Sequence, residues 1–209
     1  MVEEKLVQGA EDKVDPSANA EYTRTPSAFD RSKEPPYGAA PSVKVPQIWD
    51  TKLANGMRVY GIENKEVPLV QFDIAIDGGL LLDNPDKVGV ANLMARLMTQ
   101  GTAKKTPQEL EEAIQQLGAS INVFARTEDV RISVTTLARN YAATVDLVRE
   151  ILLEPRWDEK EFALVKQSVL SQIRQQEADP NALASSNFNK LIYGKADIRS
   201  RNILGTSAS

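Results

Sequence analysis

The stretch GVANLMARLMTQGT, residues 89–102, decides how the rest of the chain is interpreted. Its large apolar side chains recur at steps of three and four residues: Val90, Leu93, Met94, Leu97 and Met98. That spacing predicts an amphipathic helix, and Gly101 is the residue type that commonly ends one. The same pattern places Met94 and Met98 in the core, where flexible thioether side chains fill gaps.

Turn and capping signals on both sides of this helix predict further elements. Thr106-Pro107-Gln108-Glu109 combines a capping box with proline at the first helical position, and Gly118 marks the end of that second helix. Upstream, Asn55-Gly56 separates two strand-like runs and predicts a hairpin, because both residues tolerate a positive φ. The alternating run from Leu69 to Asp77 predicts a half-buried strand.

The second half of the chain continues with strands and helices in pairs. Two strands are predicted, Ser120 to Arg126 and Val130 to Leu137, followed by helices over residues 140–153, 158–179 and 182–192. The strands fall into antiparallel hairpins, and the helices follow them in groups. This order predicts an α+β fold with a mostly antiparallel sheet and helices packed on one face.

Composition excludes several classes of active site. The 209 residues contain no histidine and no cysteine, which removes the main ligands of zinc and copper, any cysteine nucleophile and any Ser-His-Asp triad. Carboxylates remain, so calcium and magnesium stay open by residue type. The net charge of −4 and the lack of a basic stripe argue against a nucleic-acid partner. No apolar run approaches the roughly 20 residues of a membrane helix, so no membrane partner is predicted.

Residues 1–46 are interpreted as a proline-rich linker or arm, and residues 47–209 as the folded domain. Six of the eleven prolines lie in the first segment, which shows no hydrophobic period. Tyr22, Phe29 and Tyr37 either pin an extended arm onto a neighbouring surface or belong to a mobile linker.

The 89–102 stretch resembles the signature helix of the insulinase/pitrilysin (inverzincin) family of zinc metallopeptidases, roughly G-[LI]-A-H-x-x-E-H-[ML]-x-x-x-G-T. The frame matches at Gly89, Ala91, Leu97, Gly101 and Thr102. Other family-like features follow in family order between residues 46 and 209: Asn55-Gly56, Gly78-Gly79, the 158–179 helix, Tyr193-Gly194 and Leu204-Gly205-Thr206. The resemblance implies a metallopeptidase-like domain of the LuxS/MPP-like type.

The residues that hold and use the metal are replaced. In the family, two histidines one helical turn apart bind zinc, a glutamate between them deprotonates the bound water, and a later glutamate completes the site. The matching positions are Asn92, Ala95, Arg96 and Gln172, and a one-residue shift would give Ser171 in place of Gln172. Because all four positions are changed, and Arg96 brings a permanent positive charge to the place of the metal, we expect no catalytic, cofactor-binding or metal residue in this chain.

Asn92, Arg96 and Gln172 admit two interpretations. They either line a peptide-facing cleft or form a solvated helix face, and their residue types favour the solvated face. The segment Asp83 to Asp86 lacks the full alternation of a calcium loop and is expected to be a turn that caps the helix near Val88. Two other acidic groups are expected on exposed surfaces: Asp73 with Asp77, and Glu109 with Glu111 and Glu112.

The resemblance implies a function for the chain as a non-catalytic part of a larger peptidase. Family enzymes close two halves around a peptide, and commonly only one half carries zinc. This chain is therefore expected to be an inactive, structural and substrate-enclosing domain. Its partners would be a catalytic half or subunit, which alone would carry zinc, and the peptide in the shared chamber. The alternatives are a purely structural homologue, like the core subunits of respiratory complexes, and an enzyme that uses carboxylates only.

The end of the domain is expected to be incomplete. The family pattern continues past the Gly205-Thr206 position into a further helix and strand, so a truncated protein or a proteolytic fragment is expected. The missing strand would leave a sheet edge unpaired, which favours self-association. Family habit favours the bacterial periplasm or cell envelope for the parent protein.

Overall fold

The chain separates into two units near residue 61. The computed structural model describes residues 28–30, 32–34, 37–40, 42 and 45–208. The first unit ends at Gly61 and the second begins at Ile62. Most of the predicted 1–46 linker, including Tyr22, lies outside the described residues, so its boundary stays a prediction. None of the described helices combines the length and the apolar character that crossing a bilayer requires.

A β-hairpin begins the regular structure of the described residues. Its strands, β1 (Ile48–Lys52) and β2 (Arg58–Ile62), form a two-stranded sheet. Gly56 in the turn adopts a φ of 90°, and the Leu53 N–H donates to the Met57 carbonyl at 2.9 Å. The predicted Asn-Gly hairpin is therefore confirmed.

The second unit contains a three-stranded antiparallel sheet. Its strands are β3 (Leu69–Asp77), β4 (Ser120–Ala125) and β5 (Asp129–Leu137), and their order in the sheet is β3-β5-β4. In this register Phe72 lies opposite Val134. Within the described residues β3 and β4 each pair with β5 alone, so each has one open edge.

The helices of the described residues follow the predicted order, with bounds within two residues of the predicted ones. They are α1 (Val90–Met98), α2 (Pro107–Gln116), α3 (Tyr141–Leu153), α4 (Glu159–Ala178) and α5 (Pro180–Tyr193).

Polar side chains cap the starts of α2, α4 and α5. Thr106 and Glu109 form the predicted capping box, in which each side chain accepts a hydrogen bond from the other residue's backbone N–H. Asp158 accepts from the first turn of α4, and Asp179 accepts from the N–H of Asn181 in α5. Each cap satisfies N–H groups that have no partner within the helix, which contributes about 1 kcal/mol.

The core lies between the helices and one face of the sheet. Alternate side chains of β5 are buried: Val130, Ile132, Val134 and Thr136. They join Leu110 of α2 and Ile151 of α3, which are 1% and 0% exposed. The predicted α+β arrangement, with helices on one face of an antiparallel sheet, is thereby confirmed.

A pair of threonine hydroxyls crosses this core. Thr136 and Thr144 are fully buried, and their Oγ1 atoms lie 2.8 Å apart. The Thr144 hydroxyl also lies 2.9 Å from the carbonyl oxygen of Asn140. A carbonyl only accepts and a hydroxyl carries one proton, so Thr144 donates to Asn140 and Thr136 donates to Thr144. Both buried hydroxyls are satisfied without water.

An ion pair joins the loop after α1 to α3. The Lys105 ammonium donates to both carboxylate oxygens of Glu150, at 2.9 and 2.7 Å, and the buried Thr102 hydroxyl donates to the same carboxylate. Burial alone would raise the pKa of Glu150, but hydrogen bonds from Lys105 and Thr102 and the charge of Lys105 hold the pKa below its ordinary value of 4.5.

We expect Glu150→Gln to lower the free energy of unfolding by about 2 kcal/mol at neutral pH, because it removes charge-assisted hydrogen bonds. A carboxyl group whose pKa is lowered on folding stabilises the folded state at pH values above its unfolded-state pKa. This stabilisation is lost as the pH falls through the folded-state pKa. The difference between wild type and variant should therefore shrink below about pH 4.5. Urea unfolding of wild type and variant between pH 7 and pH 3 measures this difference in the free energy of unfolding, and Glu177→Gln, at an exposed residue, is the control. A difference that stays constant across this range would contradict the assignment.

Candidate functional site

The residues that match the family's metal-site positions converge in the structure. Arg96 extends from α1, and its Nε donates to Oδ1 of Asn92 at 2.9 Å. Its Nη2 donates to Oε1 of Gln172, on α4, at 2.8 Å. Ser171 instead donates to the Gln167 carbonyl of its own helix and is exposed. Asn92, Arg96 and Gln172 are hereafter called the amide–guanidinium cluster.

The prediction of a solvated helix face is wrong for Asn92, which is 8% exposed and lies beside the fully buried Ala95. Arg96 and Gln172 are half-buried, so they are neither fully solvated nor enclosed in the core. The reason is that α1 contacts both β4 and α4, so this face of the helix turns inward. The spacing of large apolar side chains does not indicate the buried role of two small ones, Ala91, which is 7% exposed, and Ala95.

The outward face of α1 carries apolar residues that the helical spacing predicts to be buried. Met98 is buried as predicted, but Met94 is 37% exposed and Val90 is 53% exposed. The core position of Met94 is therefore a wrong prediction. Large apolar side chains occupy more of the surface of α1 than the neighbouring elements cover. The part that packs close to β4 includes Met98, and the part that carries Met94 and Val90 stays exposed.

Asp83 fixes the start of α1 and thus the position of the cluster. Its two carboxylate oxygens accept hydrogen bonds from Gly89 N–H at 2.8 Å and Ala91 N–H at 3.0 Å. Gly89 has a φ of 110°, and a side chain there would place its Cβ 2.7 Å from the Leu204 carbonyl oxygen. The predicted helix-capping turn near Val88 is confirmed: Gly89 is the N-cap residue of α1, and the side chain of Asp83, earlier in the turn, accepts from the first N–H groups.

Gln172 is positioned by the packing of α4. Val169 and Ile173, on either side of it in the sequence, are 4% and 5% exposed and anchor this part of the helix. The helix begins at a capped residue, since Asp158 accepts from the N–H groups of Lys160 and Glu161. Gln172 therefore reaches Arg96 from a fixed helix and not from a loop.

The donor set at these positions does not fit a zinc ion. Asn92 and Gln172 offer neutral amide oxygens that already accept from Arg96, Ala95 offers a methyl group, and Arg96 carries a permanent positive charge. In the part of the chain that the structure describes, His, Cys, Asp and Glu form no group of three that could hold a metal.

The electrostatics of Arg96 differ from those of the other half-buried arginine. Among the described arginines, Arg96 and Arg131 are half-buried. Arg131 forms an ion pair with Asp129 at 3.0 Å. Arg96 forms no ion pair with any described carboxylate, and both of its side-chain partners are neutral.

The other acidic residues singled out from sequence lie on exposed surfaces. Asp73 and Asp77 are exposed on the edge strand β3, as predicted. Glu109 belongs to the capping box, whereas Glu111 and Glu112 are exposed and accept from glutamines of their own helix. None of these carboxylates contacts the amide–guanidinium cluster.

Known proteins share this sequence pattern and fold. The family model described as Insulinase (Peptidase family M16) matches residues 58–205. The "Non-peptidase homolog YmxG" of Helicobacter pylori is 25% identical over 147 residues, which cover 70% of this chain and 34% of that protein. The mitochondrial-processing peptidase subunit beta of Mus musculus is 25% identical over 169 residues, which cover 80% and 34%.

A solved structure has the same fold. The peptidase M16 inactive domain from Pseudomonas fluorescens superimposes with a TM-score of 0.71 at 22% identity, over 77% of this chain and 39% of that chain. The uncharacterized zinc protease YmxG of Bacillus subtilis is 24% identical, over 73% of this chain and 37% of that protein. The chain thus spans little more than a third of the length of these relatives.

We expect Asp83→Ala to destabilise the second unit by about 1–2 kcal/mol, because two N–H groups at the start of α1 lose their acceptor. Asp86→Ala is the matched control, since Asp86 is exposed in the same turn and its loss should cost less than about 0.5 kcal/mol. Urea unfolding of both variants measures the difference. Equal effects would show that Asp83 does not determine the stability of α1.

Proposed function

The chain belongs to the insulinase family of peptidases, family M16, and on that premise we propose that it is a non-catalytic domain that helps to enclose a peptide. The zinc-bearing half would lie elsewhere on its polypeptide or on a partner subunit. The amide–guanidinium cluster carries this proposal, because it occupies the matching helix positions with residues that can neither bind zinc nor accept a proton from water.

The chemistry of the missing site supports a non-catalytic role. A zinc peptidase of this type needs two imidazole ligands on one helix face, a third ligand and a carboxylate base. Ala95 stands where the base would stand and has no proton acceptor. The guanidinium of Arg96 is neither a ligand nor a base at any physiological pH. The names of two relatives, a non-peptidase homologue and an inactive domain, agree with this role.

The surface of α5 supports a partner half. Its half-buried side chains are small or polar and lie on one side of the helix: Ala182, Ser186, Asn189 and Lys190. Its large apolar side chains point to solvent: Leu183 at 45% exposure, Phe188 at 60%, Leu191 at 84% and Ile192 at 56%. A surface helix normally turns its apolar side to its own core. An exposed apolar face of this kind marks an interaction surface.

The small share of the relatives' length that this chain covers also supports a partner half. The matched regions make up 34% to 39% of those proteins, and one of them is named as a subunit. We assign the apolar face of α5 to the catalytic half. The alternative role, a purely structural subunit in protein assembly, would use the same face with a partner that has no zinc site.

Restoring the donor types tests the alignment of the site. We expect the combined variant Asn92→His, Arg96→His and Gln172→Glu to bind about one zinc ion per chain, because α1 and α4 already hold these three ligand positions together and Ala95, which is not at a ligand position, stays in the core. Metal analysis of the variant after dialysis against zinc measures the number of zinc ions bound per chain. The control variant carries Ser171→Glu in place of Gln172→Glu. It should bind zinc more weakly, because the side chain of Ser171 faces away from Asn92 and Arg96. A folded variant without zinc, or wild type with stoichiometric zinc, would refute the alignment.

Isolation of the natural assembly tests the partner. A tagged protein purified from its native cells should contain zinc and an intact H-x-x-E-H sequence, on the same polypeptide or on a co-purifying one, identified by mass spectrometry. Leu191→Asp should weaken the association of a separate partner at least about tenfold, since a buried apolar anchor becomes a charge. Leu164→Asp, on exposed α4 surface at 61% exposure, is the control. An assembly without any H-x-x-E-H sequence would instead favour the structural role.

A further inference from the structure

The guanidinium of Arg96 has unused hydrogen-bond donors. A guanidinium carries five N–H groups and accepts none. The Nε proton goes to Asn92 and one Nη2 proton goes to Gln172, so two of the five donors are satisfied by side chains. Within the described residues Nη1 has no side-chain acceptor. Arg96 is half-buried, and among the described residues its nitrogens are not buried polar atoms that lack a partner, so the remaining donors meet solvent and an outside group can reach them.

The positive charge of Arg96 is also uncompensated. Arg131, which is also half-buried, is neutralised by Asp129 at 3.0 Å. Arg96 is held by two amide oxygens, which orient the guanidinium but leave its full charge. A charge that is partly removed from water and lacks a counter-ion favours an anionic ligand.

The surroundings of Arg96 fix the direction of the guanidinium. Asn92 lies one turn earlier on the same helix and is 8% exposed, so its amide cannot move freely. Gln172 is carried by α4 between two buried apolar residues. A side chain that is already held in one orientation loses little conformational entropy on binding, and a planar fork suits the two oxygens of a carboxylate.

We propose that Arg96, oriented by Asn92 and Gln172, binds a carboxylate group of a peptide ligand. The proposal rests on the proposed function only in taking the ligand to be a peptide. The guanidinium donates two hydrogen bonds to the carboxylate, and no covalent step is involved. The carboxylate comes from an acidic side chain or from the C-terminus of the peptide.

Three short peptides distinguish these sources. One has a central glutamate and blocked termini, a second has glutamine in its place, and a third has glutamine and a free C-terminal carboxylate. The signal is the shift of the Arg96 Nε–H resonance of protein labelled with ¹⁵N-arginine, titrated at constant ionic strength. We expect at least one carboxylate peptide to bind about tenfold or more tightly than the blocked glutamine peptide.

Variants separate binding from a purely structural role. Arg96→Gln should weaken binding of the carboxylate peptide about tenfold or more, and Arg96→Lys should weaken it less, because it keeps the charge but loses the fork. Binding to variants without Arg96 is followed through backbone amide shifts. Arg174→Gln, which removes an exposed arginine of α4, should leave binding unchanged.

Gln172→Glu is the most selective variant. It changes shape little and supplies an internal counter-ion, so it should weaken peptide binding about tenfold while the free energy of unfolding stays equal or rises. Equal binding of all three peptides, binding unaffected by Arg96→Gln or Gln172→Glu, or no shift at about 10 mM peptide would overturn the proposal. Because the assay uses neither metal nor partner, its failure is distinct from failure of the zinc-restoration or partner experiments.

Discussion

The close seating of helix α1 against β4 and α4 is the constraint on which the rest of the second unit depends. Two methyl groups make it possible, since Ala95 is fully buried and Ala91 is 7% exposed. Larger side chains at these positions would push the helix away from the sheet, and overpacking of this kind typically costs about 1–3 kcal/mol. Asp83 fixes the start of the helix, and the close approach of the Leu204 carbonyl to Gly89 leaves no room for a side chain there.

The same close packing determines which interaction can link α1 and α4 in place of a metal. In the family site, ligands from both helices would share one zinc ion. Here the bridge is a single hydrogen bond from Arg96 to Gln172 at 2.8 Å. A hydrogen bond with one charged partner contributes about 1.5–3 kcal/mol, much less than a structural metal. The helix pair must therefore be held mainly by apolar packing, in which Val169 and Ile173 are buried.

The elements were predictable because their signals are local. Asn55-Gly56, the Thr106 capping box and the Asp158 cap each act within four residues, and each begins or ends an element where predicted. Asp179 instead caps α5 at Pro180, two residues before the predicted start of that helix. Burial on α1 was not predictable, because periodicity shows that a helix has an apolar side but not how many neighbours surround it. The convergence of Arg96 with Gln172, 76 residues apart, followed from the family resemblance and not from spacing. Residues whose partners lie far along the chain, such as Glu150 and Lys105, gave no signal at all.

The apolar face of α5 sets a limit on the kind of partner that can bind there. Full burial of a large apolar side chain contributes about 1.5–3 kcal/mol, and the four outward side chains of α5 are 45% to 84% exposed. Covering them would therefore yield roughly 5 kcal/mol. Association of two separate chains costs an estimated 4–15 kcal/mol in lost translational and rotational freedom. The face of α5 alone would thus barely hold a free partner. It suffices for a half that is tethered on the same polypeptide, where the effective concentration is high, or for a subunit whose contact surface extends well beyond this helix.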